Sequence, residues 1–188
     1  MPKGINLTIT TKRDSDGRNV VEWSLENSSG HDYYLFDGIA ADPSSPAAGP
    51  GDVYFRWREG DTLILYQGIP EVPDMMSVLL PYVPKASRLD DSSIRVKRTT
   101  LPDTVPTNLY YGHFDDPTGE GEPRMAAHAA FVEIRVGAVR DGGLAVVDAG
   151  RSAKLQFYDF RDMDKTIAAA EVWRSARIPL HHPVLVVD

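Results

Sequence analysis

The sequence predicts an all-β chain folded as an antiparallel β-sandwich with long loops. Three observations predict it. Apolar and polar residues alternate with period two through most of the chain, Gly/Asp/Asn/Ser/Pro clusters separate the alternating segments, and about nine short strands result with no run of long helical periodicity. The 188 residues fit one domain spanning 1–188. A domain of that size buries roughly 70% of its unfolded-chain surface and needs no covalent staple. A composition that is 42% hydrophobic and 25% charged is that of a folded chain and not of a disordered one.

Ile5, Leu7 and Ile9 alternate with Asn6, Thr8 and Thr10. Asp14-Ser15-Asp16-Gly17 then turns the chain, and Val21, Trp23 and Leu25 alternate with Glu22, Ser24 and Glu26. This is a hairpin with one apolar face. The aromatic run Tyr33-Tyr34-Leu35-Phe36 follows a second turn at Asn27–Gly30. Residues 37–52 hold three prolines and no periodicity, which predicts an exposed connection. A second hairpin pairs Val53–Arg58 with Thr62–Tyr66, and it places Phe55 and Trp57 in the core beside Trp23 and Phe157.

Beyond it, Pro81 and Pro84 bracket Tyr82-Val83, which predicts an edge strand or a strap across the sheet because proline donates nothing to a ladder. Ile94–Thr99 reads as a strand whose Arg95, Lys97 and Arg98 form a solvated face. Residues 101–125 are the longest stretch without pattern, and loops beyond about 15 residues are uncommon unless functional or mobile. Ala129–Val139 is a strand, Asp141-Gly142-Gly143 a tight turn, and Ala153–Tyr158 a strand. Residues 164–176 admit two readings. Asp164 as N-cap with Ile167, Ala170 and Trp173 on one face makes a helix, and alternation at Val172–Ile178 makes a strand. Val184–Val187 closes the chain as a strand added to a sheet edge.

Several chemistries are excluded by what the sequence lacks. Without cysteine there is no disulfide, thiolate metal site or cysteine nucleophile. The Gly-x-Ser-x-Gly elbow, the His-Glu-x-x-His zinc motif and the phosphate-cradling loop are all missing. Asp14–Asn19 superficially resembles a calcium loop, but Gly17 stands at position four and Leu25 at position twelve, where an EF-hand needs Gly at six and Glu at twelve. Adjacent His181 and His182 point to opposite faces of an extended chain, so one ion does not take both. The net charge of −7 repels nucleic-acid backbones. No window approaches the ~18 apolar residues of a membrane span, and Ile5–Thr10 alternates where a signal peptide needs a continuous apolar core. A cytoplasmic protein without cofactor is expected.

What remains legible lies in the second long loop. Tyr110, Tyr111 and Phe114 sit among prolines and glycines and not on a strand face, and loop aromatics are common anchors of recognition surfaces. His113 stands beside Asp115 and Asp116. The expected binding residues are therefore Tyr110, Tyr111, His113 and Phe114.

The segment Val20-Val21-Glu22-Trp23-Ser24-Leu25-Glu26-Asn27-Ser28-Ser29, the following Tyr34-Leu35-Phe36-Asp37-Gly38, and Leu89–Ile94 before a strand resemble bacterial immunoglobulin-like sandwiches of the intracellular proteinase-inhibitor type. The resemblance covers roughly residues 5–100, with Asp90-Asp91 where such domains carry Pro-Gly. It implies an immunoglobulin-like sandwich. The expected function is a non-catalytic protein-binding module (an inhibitor, an immunity-type protein or an adaptor) acting through loops on a protein partner, a basic one given the charge. The alternative is an enzyme or carbohydrate-binding domain with a site around His113, Asp115 and Asp116.

Overall fold

A computed structural model describes residues 1–38, 54–72, 82–107, 126–152 and 155–187. Its elements begin with β1 (Ile5–Arg13), β2 (Asn19–Asn27), β3 (Tyr33–Gly38), β4 (Phe55–Glu59) and β5 (Thr62–Gln67). There follow β6 (Lys85–Leu89), β7 (Ser93–Thr100), β8 (Thr104–Pro106) and β9 (Ala127–Arg140). The chain ends with β10 (Val146–Ser152), β11 (Leu155–Phe160), α1 (Met163–Ala169), β12 (Glu171–Arg174) and β13 (Ile178–Val187).

β1 and β2 pair as their alternation predicts, from Ile5 opposite Asn27 to Arg13 opposite Asn19. Asp14 closes the turn by accepting from the backbone N–H groups of Asp16 and Arg18 at 3.0 and 2.8 Å, while Gly17 takes a φ of +82°. Its carboxylate thus serves the turn, as the calcium-loop spacing failure required. β7 joins β2 to complete a three-stranded sheet in the order β1-β2-β7.

The second sheet has ten strands, β10-β11-β6-β3-β9-β13-β8 along its path, with β12 on β9 and the β4–β5 hairpin attached through β5. It is mostly antiparallel, but β5 runs parallel to β9 and β13 parallel to β8. β9 is its spine. Phe131 pairs with both Thr62 and Pro179, and Ala138 with both Leu35 and Glu171. One edge of β9 therefore takes β5 and β3 end to end, while the other takes β13 and β12. Gly137 lies where β5 and β3 converge. A Cβ there would stand 2.8 Å from the Gly68 Cα and 3.3 Å from a ring carbon of Phe36.

The main core fills the space between the sheets. Leu7, Val21, Trp23 and Leu25 of the small sheet meet Leu35, Leu63, Leu65, Val132, Ile134 and Val136 of the large one. Each fully buried side chain of this kind contributes roughly 1.5–3 kcal/mol. Trp23 donates its indole N–H to the Tyr54 hydroxyl at 3.0 Å, so the largest buried ring leaves no orphan donor.

Several expectations need correction. Phe55 is buried as its apolar face predicts, with Trp57 half-buried against it, but in a cluster apart from this core. They pack there with Ile64, Tyr66 and Tyr82, because the register puts Tyr54, Arg56 and Arg58 on the inner face instead. Residues 164–176 are helix and then strand: α1 starts from Asp162, whose carboxylate accepts from the Lys165 N–H, and Trp173 belongs to β12. The closing strand is interior, since β13 lies between β9 and β8. Part of the irregular 101–125 stretch forms the short strand β8. Tyr82–Pro84 has no regular structure, and the remainder of the second long loop, like residues 39–53, lies outside the described residues.

Candidate functional site

Tyr110, Tyr111, His113 and Phe114, with Asp115 and Asp116, all lie outside the described residues. The other histidines are described and do not converge. His31 contacts Arg140, His181 reaches the Thr11 carbonyl at 3.2 Å, His182 sits 3.3 Å from Asp103, and His128 is exposed on β9. Among the described residues no three His, Asp or Glu side chains are grouped to hold a metal ion, and no helix is long and apolar enough to cross a membrane.

The structure instead draws attention to β7, whose polarity is the reverse of the one its sequence predicts. Ile94 and Val96 face outward at 64% and 58% exposure, while the side chains of Arg95 and Lys97 are turned inward at 15% and 10%. The cause is a buried acid. Asp37 continues the inner face of Tyr33 and Leu35 on β3, and its side chain has no exposed surface. An isolated carboxylate there would cost several kcal/mol in lost hydration, so it needs charge and hydrogen-bond partners.

It has both. One carboxylate oxygen accepts from the Ser87 N–H at 3.1 Å. The other accepts from the Ser87 hydroxyl at 2.9 Å, Lys97 Nζ at 3.1 Å and the Arg95 guanidinium at 3.3 Å. Arg95 also donates to the Ser87 hydroxyl and the Arg88 carbonyl, each at 2.8 Å, and Lys97 reaches Gln67 Oε1 at 3.4 Å. Residues from β3, β5, β6 and β7 are thereby tied together across the two sheets.

Sequence reasoning missed this network. The signal was present in Asp37, a lone acid closing the run Tyr33–Phe36, which is buried at every position. Solvation explained Arg95–Arg98 equally well until that acid required a counter-charge.

A second charged group lies on the far side of β9. Arg135 holds Glu59 at 2.6 Å and Glu133 at 2.7 Å, and its guanidinium stands 5.5 Å above the Trp57 ring. Hydrogen bonds from Arg135 keep the Glu59 carboxyl below the ordinary carboxylate range.

The two edges of the small sheet differ. β13 lies against the end of β1: Thr11 donates to the Pro179 carbonyl at 2.9 Å and Arg13 to the His181 carbonyl at 3.2 Å, and Asn19 of β2 donates to the His182 carbonyl at 2.9 Å. Among the described residues no strand pairs with the outer edge of β7. That edge is eight residues long and carries Ile94 and Val96 beside it. It is a row of backbone donors and acceptors flanked by exposed apolar surface.

No family model, curated protein or solved structure matches the chain.

Proposed function

We propose that the chain is a non-catalytic protein-binding module, of the inhibitor, immunity or adaptor kind, whose partner adds an extended segment to the β7 edge. The observation that carries this is the pair Ile94 and Val96, exposed on a strand whose outer edge pairs with no strand among the described residues. An unpaired edge offers main-chain hydrogen bonds for affinity, and alternate side chains along it give specificity. Proteins protect such edges with charges that point inward and would be stranded by an incoming strand. In β7 the inward Arg95 and Lys97 already have Asp37 as partner, so adding a strand strands neither.

The aromatics Tyr110, Tyr111 and Phe114, with His113, belong to the proposal as a second contact area on the strength of their sequence context alone. The net charge of −7 favours a partner of positive charge by speeding encounter. The lack of cysteine suits a reducing compartment, so the cytoplasm is the proposed location.

The test is a cross-linked capture from the native host with three baits: the wild type, Ile94→Lys/Val96→Lys, and Val147→Lys, which charges the exposed Val147 on β10. A stoichiometric partner held by the wild type and by Val147→Lys but lost by the double variant supports β7 as the docking edge. A partner held equally by all three contradicts it.

A further inference from the structure

Arg56 has no counterpart among the other arginines turned into the protein. Its register position opposite Leu65, a main-core residue, places it on the inner face of the β4–β5 hairpin beside Tyr54. Its Nε is buried and has no hydrogen-bond partner, and no ion pair reaches it among the described residues. The inward arginines elsewhere are served differently: Arg95 has Asp37, Arg58 donates to the Gly60 carbonyl, and Arg135 has Glu59 and Glu133. Burial pulls the Arg56 pKa below the usual arginine value, and among the described residues no neighbouring charge opposes the shift. A guanidinium carries five donors in a planar fork and stays protonated in proteins, so it cannot shed its charge to relieve the site.

The surroundings add to the imbalance. Gln67, two residues along β5 from Leu65, contacts Lys97. Lys97 and Arg95 share the single carboxylate of Asp37. Among the described residues the inner faces of β4 and β7 thus hold Arg56, Arg58, Arg95 and Lys97, and Asp37 is the acid that pairs with Arg95 and Lys97. Positive charge is in excess there although the chain as a whole is acidic.

We propose that Arg56 is the receptor for a carboxylate supplied from outside the chain, bound in the fork of its guanidinium. A carboxylate fits better than a phosphate. One unpaired guanidinium matches one planar monoanion bidentately, whereas a phosphate dianion would need further donors that Arg95 and Lys97 already commit to Asp37. The assignment is independent of docking at β7, since it rests on Arg56 and not on Ile94 or Val96.

The experiment follows the Arg56 Nε–Hε resonance by NMR while acetate, inorganic phosphate or chloride is added at constant ionic strength, with exposed Arg98 as the internal control. A short peptide with a free C-terminus and the same peptide amidated form two further arms. The expected result is a saturable shift at Arg56, absent at Arg98, with acetate or the free-acid peptide and not with chloride. A stronger response to acetate identifies a small acid as the source, and a stronger response to the free-acid peptide identifies a protein carboxylate.

Arg56→Met supplies the second measurement. In anion-free buffer it should melt no lower than the wild type, because no partner is lost, and acetate should raise the melting temperature of the wild type alone. Tighter binding of phosphate than of acetate, a response at Arg56 no different from Arg98, or destabilisation by Arg56→Met in anion-free buffer would each overturn the proposal.

Discussion

Lys97 Nζ lies 3.1 Å from the carboxylate of Asp37, a side chain with no exposed surface, and this contact pins the edge strand of the small sheet to the interior of the large one. It also fixes which way β7 faces. A strand has period two, so turning Lys97 and Arg95 inward turns Ile94 and Val96 outward.

Removing the acid should therefore be costly. Asp37→Ala leaves Arg95 and Lys97 inside with no counter-charge and should destabilise the fold by about 3–5 kcal/mol. Replacing the whole group (Asp37→Leu, Arg95→Met, Lys97→Met) should cost far less or stabilise, because well-packed apolar side chains often match a buried ion network. Urea unfolding of the two variants checks both, and equal losses would show that the ion network is not the source of the cost.

Tyr54→Phe removes the acceptor of the Trp23 indole N–H, which is buried in the main core. The expected loss is about 1–3 kcal/mol, the cost of an unsatisfied buried donor. Thermal unfolding with Trp23 fluorescence as the probe measures it, and an unchanged midpoint would mean that the indole finds another partner.

Asp32 accepts from the Asp91 N–H at 2.7 Å and is paired with Arg88. The Arg88 hydrogen bond and then that of Asp91 hold its carboxyl below the ordinary value of 3.8. A lowered folded-state pKa contributes stability that is present above the ordinary value and is lost as pH falls through the folded one. Asp32→Asn should thus be less stable than the wild type at neutral pH, with the gap closing below pH 3.8. Denaturation across pH 2–7 reads the gap directly, and a gap that widens on acidification would refute the pairing.

Gly137→Ala puts a methyl group 2.8 Å from the Gly68 backbone, where β5 and β3 converge on β9. Backbone cannot rotate away as a side chain can, so the variant should lose about 1–3 kcal/mol. Hydrogen exchange should place the loosening at Gly68, Phe36 and Gln67, the residues that methyl meets.

How much of this was legible in the sequence depends on the range of the interaction that decides each residue. The β1–β2 and β4–β5 hairpins were readable because their turns and alternation are local. The face of β4 was not, since Phe55 and Trp57 offer apolar side chains that their surroundings place away from the main core. The polarity of β7 was unreadable from Ile94–Thr99 alone, because the residue that sets it, Asp37, is 58 positions from Arg95. Residues 164–176 satisfied two periods at once, and the chain uses one after the other.

The central claim is that β7 is a binding edge. Hydrogen–deuterium exchange of the protein with and without its captured partner tests it most directly. Slowed exchange is expected along Ser93–Thr100 in the complex, with β1 unchanged. Slowing at β1 or β10 with Ser93–Thr100 unaffected would contradict it.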